Sequence, residues 1–579
     1  MSMKLELLPN ELLLEILDYV DDVERLLVCS LNARLKGLLS IRSKRYCLNF
    51  HSVTKQNLDR ICRQLLPKML DRIVTLHLSD DDDTPNQITQ FFSYGFSLLQ
   101  MTHLTTLSIF HLRRAEILNK ILSQLFRVRQ LTSLKIEHIH FGMEETDQFM
   151  RIIWSLPKLT HFHIAGESFR RYCCLPELTI FAPFKRLYMM DSSFTAEQLC
   201  HLLECAVYLE HLSISVHSKQ RIFDASSRSV SPSLTVLKIA YTGKHSLEEL
   251  RSIFPLLPNL RELEIEIDDL FITGNQWGAM IRSYLSKLTI FRLLMSFAVT
   301  FSGYMEHYVE KLLESFRTPF WLSERQIFVR CQWQPKLLAH QLSYSMQLYT
   351  LPYGFETFNY GNLIRTKSTC PSEAEYWFYN RVNNLNVAFI AKSIGLSCSL
   401  VRFVNIVSLT IGNEIKMIDK ICLFPLERLT TLHLYHLHDR YQAHLQALLD
   451  RAPRLNTLIF EESHSRTFFV NNASVRRLII RDKHFYDVVE CVQLCATKLF
   501  QQCEVLEMNL RTYGSLFRLL RKIPHIHVIL FKCQNEQQWK NRAPSLSKQN
   551  ELVQWLRSSL PLDSWIHRED DKRIRLWIR

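Results

Sequence analysis

Apolar residues recur along most of this chain in one short phrase, Leu-x-x-Leu-x-Leu/Ile, separated by stretches whose apolar spacing is helical. The clearest copies are LTTLSI at Leu104, LTSLKI at Leu131, LTHFHI at Leu159, LEHLSI at Leu209, LTVLKI at Leu234 and LRELEI at Leu260. After a gap come LTTLHL at Leu429, LNTLIF at Leu455 and VRRLII at Val475, with weaker copies at Ile73, Lys185, Val407, Cys503 and His525. The fourth positions, Leu107, Leu134, Phe162, Leu187, Leu212, Leu237 and Leu263, lie 27, 28, 25, 25, 25 and 26 residues apart. Alternating inward residues predict a short strand in each phrase, and such a strand needs a bonded neighbour and a return segment to cover its buried face.

The return segments are legible as helices. Ile117, Leu118, Ile121, Leu122 and Leu125 have helical spacing, as do Phe149, Ile152, Ile153 and Leu156, and Leu199, Leu202, Leu203 and Ala206. Thr195 with Gln198 and Ser246 with Glu249 have the spacing of a capping box. Pro157, Pro258, Pro453 and Pro524 fall just before a new phrase, where they stop the preceding helix. This pattern resembles the leucine-rich repeat superfamily in a long, helix-backed form, without the asparagine ladder common after the strand. The resemblance implies an α/β solenoid: a horseshoe with parallel strands on its concave face and helices on its convex face.

The phrase fails between residues 294 and 400, which are rich in aromatics and turn formers such as Pro319, Trp321, Trp333, Pro352 and Gly361. An insertion and a run of divergent repeats both fit; the second is favoured because a solenoid that resumes at Leu429 must keep stacking. QIFVRCQW at Gln326 and MQLYTLPY at Met346 read as strands. At the end, Leu552, Trp555 and Leu556 suggest an amphipathic helix and IRLWIR a strand, as in a terminal cap. The expected organisation is a helical domain at 1–45, a helical linker or N-terminal cap at 46–72, repeats at 73–293, the divergent stretch at 294–400, further repeats at 401–550 and a cap at 551–579.

The opening LELLPNELLLEILDYV carries more apolar surface than its own neighbourhood can bury. Pro9 fits the first position of a helix and Glu11 suits its positive end. Glu11, Glu15, Asp18 and Asp22 form a polar stripe; Leu12, Leu13, Ile16, Leu17 and Val20 fill the other side, with Leu14 flanking it. Val23, Leu26, Leu27, Leu31, Leu35, Leu38 and Leu39 continue the pattern into one or two more short helices. A unit of roughly 40 residues is near the size that needs a staple or a partner to be stable. The motif Leu-Pro-x-Glu-Leu-x-x-x-Ile-Leu from Leu8 to Leu17 resembles an F-box, although the aromatic common near that motif's end is replaced here by a leucine-rich run. The resemblance implies docking, through Leu8, Pro9, Leu12, Ile16 and Leu17, on the Skp-type adaptor of cullin-RING ubiquitin ligases. The other reading makes these helices a cap of the repeats.

Composition narrows the class. With 47% hydrophobic and 22% charged residues in 579, the chain is ordinary globular material. Fifteen scattered cysteines without CxxC pairs point to a reducing compartment, cytoplasm or nucleus. Cys491, Cys495 and Cys503 match no metal spacing. The start lacks the basic and apolar regions of a signal peptide, and the longest uncharged run is too short for a membrane span. The 13 glycines make no phosphate loop, and neither a GxSxG elbow nor HExxH is present, so no catalysis, cofactor or metal is expected. The pairs His161 with His163, His436 with His438, and His525 with His527 each lack a third ligand and are read as surface or groove residues. The run Asp80 to Asp83 is read as a solvated loop before Pro85.

Function is expected on the open side of the strands. The residues projecting there include Lys135, Glu137, His161, His163, Tyr188, His211, Lys238, Glu262, Glu264, Glu266, His433, Tyr435, Arg477 and Arg481. Glu262, Glu264 and Glu266 on alternate positions would concentrate negative potential and attract a basic peptide, while Arg477 and Arg481 reverse the sign. The net charge of +13 raises nucleic-acid binding, but the basic residues are spread rather than clustered. The reading is a non-catalytic substrate-recognition subunit of an SCF-type ligase, holding the adaptor, and through it a cullin, at one end and a protein substrate on the repeats. A ubiquitin-independent scaffold or sensor is the alternative.

Overall fold

The computed structural model describes residues 8–29, 34–35, 37, 45–139, 143–166, 183–217, 230–243, 246–300, 304–338, 341–361, 365–372, 376, 378–388, 402–412, 424–435, 442–461, 470–534, 555–560, 564–568 and 573–578. It is an α/β structure with large sheets dominated by parallel pairing. The chain divides into two compact units, Met1–Leu263 with Tyr284–Thr289 and Glu264–Ser283 with Ile290–Arg579.

Unit 1 opens with two helices, α1 (Asn10–Asp18) and α2 (Asp22–Cys29). Its strands are β1 (Tyr46–Asn49), β2 (Ile73–Ser79), β3 (Thr106–Phe110), β4 (Ser133–Glu137), β5 (His161–Ala165), β6 (Arg186–Phe194), β7 (His211–His217) and β8 (Val236–Thr242). They lie side by side in chain order and are parallel. The register joins Leu76, Leu107, Leu134, Phe162, Leu187, Leu212 and Leu237 into one buried row, so the fourth position of each phrase stacks on the next. β1 corrects only the start of the expected helical linker at 46–72, with Tyr46 and Leu48 buried and Leu48 paired to Leu76, whereas Lys55–Arg60, Ile61–Leu65, Leu66–Lys68 and Leu70–Arg72 are helical as expected.

The helices Ala115–Leu125, Met143–Trp154 and Ala196–Cys205 fill the intervals as their spacing predicts, burying Leu118, Ile121, Leu122 and Leu125 in the first and Leu199, Leu202 and Leu203 in the third. Thr195 and Gln198 close a reciprocal capping box. Ser246 precedes Leu247–Ile253 without a side-chain cap bond, and Glu249 is buried instead. A different ladder replaces the absent asparagines. The hydroxyls of Thr105, Thr132, Thr160 and Thr235 donate to the carbonyls of Val74, Thr105, Thr132 and Glu210, stitching the starts of β3, β4, β5 and β8 to the preceding strands. The ladder uses the second position of the phrase, where a hydroxyl reaches back without leaving the strand.

β9 (Glu262–Asp268) spans the division between the units. In unit 2, β10 (Ile290–Thr300), β11 (Phe328–Leu338) and β12 (Gln341–Leu351) are long and antiparallel, in the order β10, β12, β11. After β13 (Thr357–Gly361) comes β14 (Arg365–Ser368), antiparallel to β11. The first part of 294–400 is therefore an antiparallel insertion and not a set of divergent repeats. Eleven-residue antiparallel strands satisfy each other's backbone groups directly. Parallel pairing resumes at β13 with β15 (Asn384–Ala388).

β16 (Ser408–Ile411), β17 (Thr431–Tyr435), β18 (Thr457–Glu461), β19 (Arg477–Arg481), β20 (Val505–Leu510) and β21 (Val528–Cys533) continue the parallel order. Each of the weaker phrases at Lys185, Val407, Cys503 and His525 lies at a strand. The run stops where β23 (Ile574–Trp577) pairs antiparallel with β21 and with β22 (Trp565–Arg568). Residues 555–559 are helical and Leu556 is buried, in the manner of the expected cap; Leu552 lies outside the described residues. One apolar core runs from Tyr349 to Leu576 in this unit.

Candidate functional site

Two regions collect the residues that sequence singles out. On α1 the apolar arc divides in two. Leu13 and Leu17, 1% and 5% exposed, close on Leu35 with Leu8, Leu14 and Val28 against them. Leu12 and Ile16 are 45% and 39% exposed and Tyr19 is 88% exposed. With exposed Pro9, these residues are spaced by three, four and three positions, so they form one stripe. Leu17 is thus turned into the small core and Leu8 is half-buried against it, which removes Leu17 from the face the sequence assigns it to. Tyr19 was missed; its helical spacing from Ile16 was the signal. Pro9 sits one position before the helix, extended at ψ 154°, with its carbonyl accepting from the Leu13 amide. Arg34 holds this end by donating to Asn10 and to the Leu8 carbonyl.

The neighbouring helix α2 faces the sheet. The Asp22 carboxylate accepts from the Cys47 amide at 2.6 Å and pairs with Arg25 at 2.9 Å, and Val23 and Leu26 are buried. Asp22 is therefore an anchor to β1, not part of a solvated stripe. The helical unit is fastened through α2, and Leu12 and Ile16 are left open instead of packing near Ile73.

On the open side of unit 1, the register sets His161, Arg186 and His211 in one row and Lys135, His163, Tyr188, Ser213 and Lys238 in the next. Lys135 Nζ lies 3.0 Å from Glu137 and His163 Nε2 lies 2.8 Å from it. Partial burial opposes ionisation of Glu137, but these two partners outweigh it and hold the carboxyl at about 2. The His163 ring stacks on Tyr188 at 4.1 Å, and the Lys135 ammonium sits 5.2 Å from the Phe110 ring centre. Burial, and then the Arg186 guanidinium, push both His161 and His211 below the usual imidazole range.

The glutamate triplet is not a uniform negative strip. Glu262 is half-buried at the end of unit 1. In unit 2, Glu264 is 13% exposed between Arg292 at 3.4 Å and Arg381 at 3.6 Å, while Glu266 is exposed. Arg292 comes from β10 and Arg381 from the turn before β15, out of reach of a local reading. Gly354 admits Arg292: a Cβ there would meet its Cδ at 2.3 Å.

In the second parallel sheet, Glu461, Arg481, Glu507 and Arg573 form a chain of alternating charge across β18 to β20 and on to the start of β23, with successive separations of 3.7, 3.4 and 3.4 Å. His433 on β17, held below the usual imidazole range by burial, lies 3.2 Å from Glu461. Tyr435 lies against His433, with ring centres 4.4 Å apart. Arg477 stands two residues before Ile479 on the same side and is half-buried. Arg481 therefore answers local carboxylates, and a simple positive end does not form.

The run Asp80 to Asp83 is the clearest reversal. Asp80 and Asp81 are buried: Asp80 accepts from the Ile88 amide, and Asp81 from Ser79, the Asp83 amide and Thr84. Burial pushes Asp80 up to about 7 against the pull of the Ile88 amide, Arg114 and Arg113. For Asp81 burial is outweighed by His51 at 2.9 Å and by Thr84 and Ser79, which hold it well below the usual carboxylate range. Four acidic residues in a row read as solvent-loving, but here the oxygens of Asp80 and Asp81 satisfy backbone amides that the turn would otherwise bury unpaired.

Cys491, Cys495 and Cys503 are buried, and burial pushes their thiols up to about 12, 11 and 12. Among the described residues no three His, Cys, Asp or Glu side chains are placed to hold a metal ion, and no helix is long and apolar enough to cross a membrane. His436 and His438 lie outside the described residues. No protein-family model matches this sequence, and no curated protein matches it.

Proposed function

We propose that this protein is the substrate-recognition subunit of an SCF-type cullin-RING ubiquitin ligase, a member of the F-box and leucine-rich-repeat class. The observation that carries the reading is the stripe of Pro9, Leu12, Ile16 and Tyr19, open on α1 while Leu13 and Leu17 close the helical unit behind it. An apolar stripe rimmed by Glu11 and Glu15 suits a helical partner, here a Skp-type adaptor that connects to a cullin. Parallel strands in register at a 25 to 28 residue period, with returning helices, support a leucine-rich-repeat horseshoe for the remainder, its open strand face taking a protein substrate. The chain supplies no catalytic group in this reading. It acts by holding a target lysine near the charged enzyme, which raises effective concentration. The reading places it in the cytoplasm or nucleus, as its scattered cysteines suggest.

The test is co-purification with a Skp-type adaptor, wild type against a Pro9→Ala, Leu12→Ala, Ile16→Ala variant. The wild type is expected to retain the adaptor and the variant to lose it. A wild type that retains none would overturn the ligase reading and leave a scaffold built on the repeats alone.

A further inference from the structure

Taking the open strands as the substrate face of the reading above, we propose that Arg186, flanked by His161 and His211, holds the carboxyl terminus of a partner protein. The three residues are register partners on β5, β6 and β7.

Strands about 4.8 Å apart send the side chains of one row off the same face, so the guanidinium has an imidazole on either side. Arg186 is exposed, and His161 and His211 are half-buried. Glu210, next to His211 in the chain, lies 3.5 Å from Lys185, and among the described residues no carboxylate pairs with Arg186. The guanidinium therefore keeps its planar fork of donors for an incoming anion. In the next row Lys135 is paired with Glu137 at 3.0 Å, so the place suits one anionic group and not a run of them.

His161 decides which anion. The Thr160 hydroxyl has a single proton and gives it to the Thr132 carbonyl at 3.1 Å. Its oxygen also lies 2.8 Å from Nδ1 of His161, so the proton in that contact comes from the ring. Burial, and then the Arg186 charge, favour the neutral form of His161. A neutral ring protonated on Nδ1 leaves Nε2 as an acceptor. On the other side of Arg186, the ring of His211 makes no hydrogen bond among the described residues and is open to donate.

The row thus matches a group with two acceptor oxygens and one donor close by. The end of a peptide chain carries both on a single Cα: carboxylate oxygens for Arg186 and His211, and the last amide N–H for Nε2 of His161. A glutamate side chain carries its carboxylate two carbons further from the nearest amide. A phosphomonoester, mostly dianionic at neutral pH, has no proton for Nε2 and sets negative charge against its lone pair.

The experiment uses the full chain and saturation-transfer NMR with acetyl-triglycine, which ends in a free carboxylate. Comparison probes are its carboxamide, acetyl-diglycyl-sarcosine, which lacks the last N–H, acetyl-glycyl-glutamyl-glycinamide and methyl phosphate. Acetyl-triglycine should bind saturably, about tenfold more tightly than each of the others, and lose about tenfold with Arg186→Gln. His161→Phe should weaken it to the same extent and abolish its advantage over the sarcosine probe. Thermal unfolding of both variants checks that the fold is kept. Equal binding of acid and carboxamide, binding of methyl phosphate or the internal glutamate as tight as that of acetyl-triglycine, indifference to Arg186→Gln, or an advantage over the sarcosine probe that survives His161→Phe would overturn the proposal. Adaptor retention by the same preparations is read separately: failure of acetyl-triglycine with the adaptor retained removes this site alone, whereas failure of the adaptor with acetyl-triglycine bound removes the ligase reading alone.

Discussion

The backbone amide of Cys47 donates to the carboxylate of Asp22 at 2.6 Å, joining the second N-terminal helix to the first strand of the sheet. This bond and the buried Val23 and Leu26 fix the helical unit on the repeats while the stripe on α1 faces away. Replacing Asp22 by Ala leaves that amide without its acceptor and removes the ion pair to Arg25, which keeps its bond to the Val20 carbonyl. A loss of about 1–3 kcal/mol is expected, the usual cost of stranding a partner of a charged group. Hydrogen exchange at Cys47 and Leu48 checks it; unchanged protection would show that the bond does not hold the edge.

Leu12 and Leu17 are five residues apart on one helix and should respond in opposite ways. Leu17→Ala opens the small core with Leu13 and Leu35 and should cost about 2–5 kcal/mol of local stability. Leu12→Ala removes an exposed side chain, so its effect on folding should stay within about 0.5 kcal/mol. Thermal unfolding of the two variants decides it, and equal losses would contradict the division of the arc.

The threonine ladder gives a third expectation. The Thr132 hydroxyl donates to Thr105, while its carbonyl accepts from the Thr160 amide and hydroxyl. Thr132→Val keeps shape and removes one donor, for an expected loss of about 0.5–1.5 kcal/mol. Adding Thr160→Val should give a sum that departs from additivity, because the Thr160 hydroxyl donates to the carbonyl of Thr132 itself. Chemical denaturation of the two single variants and the double variant reads this, and strict additivity would argue that the links are independent.

Much of this architecture was legible because the repeat announces itself locally. Strand positions from Leu104 to Leu260, the helix at Ile117 to Leu125 and the Thr195 box follow from spacing and capping alone. What escaped depends on partners distant in sequence. Tyr46–Asn49 has no phrase of its own and becomes a strand by pairing with β2. The long β11 and β12 strands were recognised, but their antiparallel partnership is a tertiary choice that alternation does not encode. The side of α1 that holds Leu17 could not be separated from the side that holds Leu12, because both lie on one wide apolar arc until Leu35 selects between them. Glu264 reads as open charge until Arg292 and Arg381 arrive from elsewhere.

Asp80 predicts a pH dependence. Its pKa in the fold, about 7, lies above the ordinary carboxylate value, so the folded state holds the proton more tightly. The stability linked to it is fully present below about pH 4 and is lost as pH rises through 7. Asp80→Asn keeps an oxygen for the Ile88 amide and removes the charge. The variant should gain stability relative to wild type at pH 8 and show little difference at pH 4.5. Melting temperatures across that range test the sign; a variant that loses most at pH 8 would contradict it.

The central claim is that the stripe on α1 is a docking face. Its most direct measurement is the affinity of a purified Skp-type adaptor for the purified full chain, by calorimetry, with Leu12→Asp and Ile16→Asp as variants. A one-to-one complex is expected, weakened at least tenfold by either charge while unfolding of the variants is unchanged. Absence of binding by the wild type, or equal binding by both variants, would contradict it.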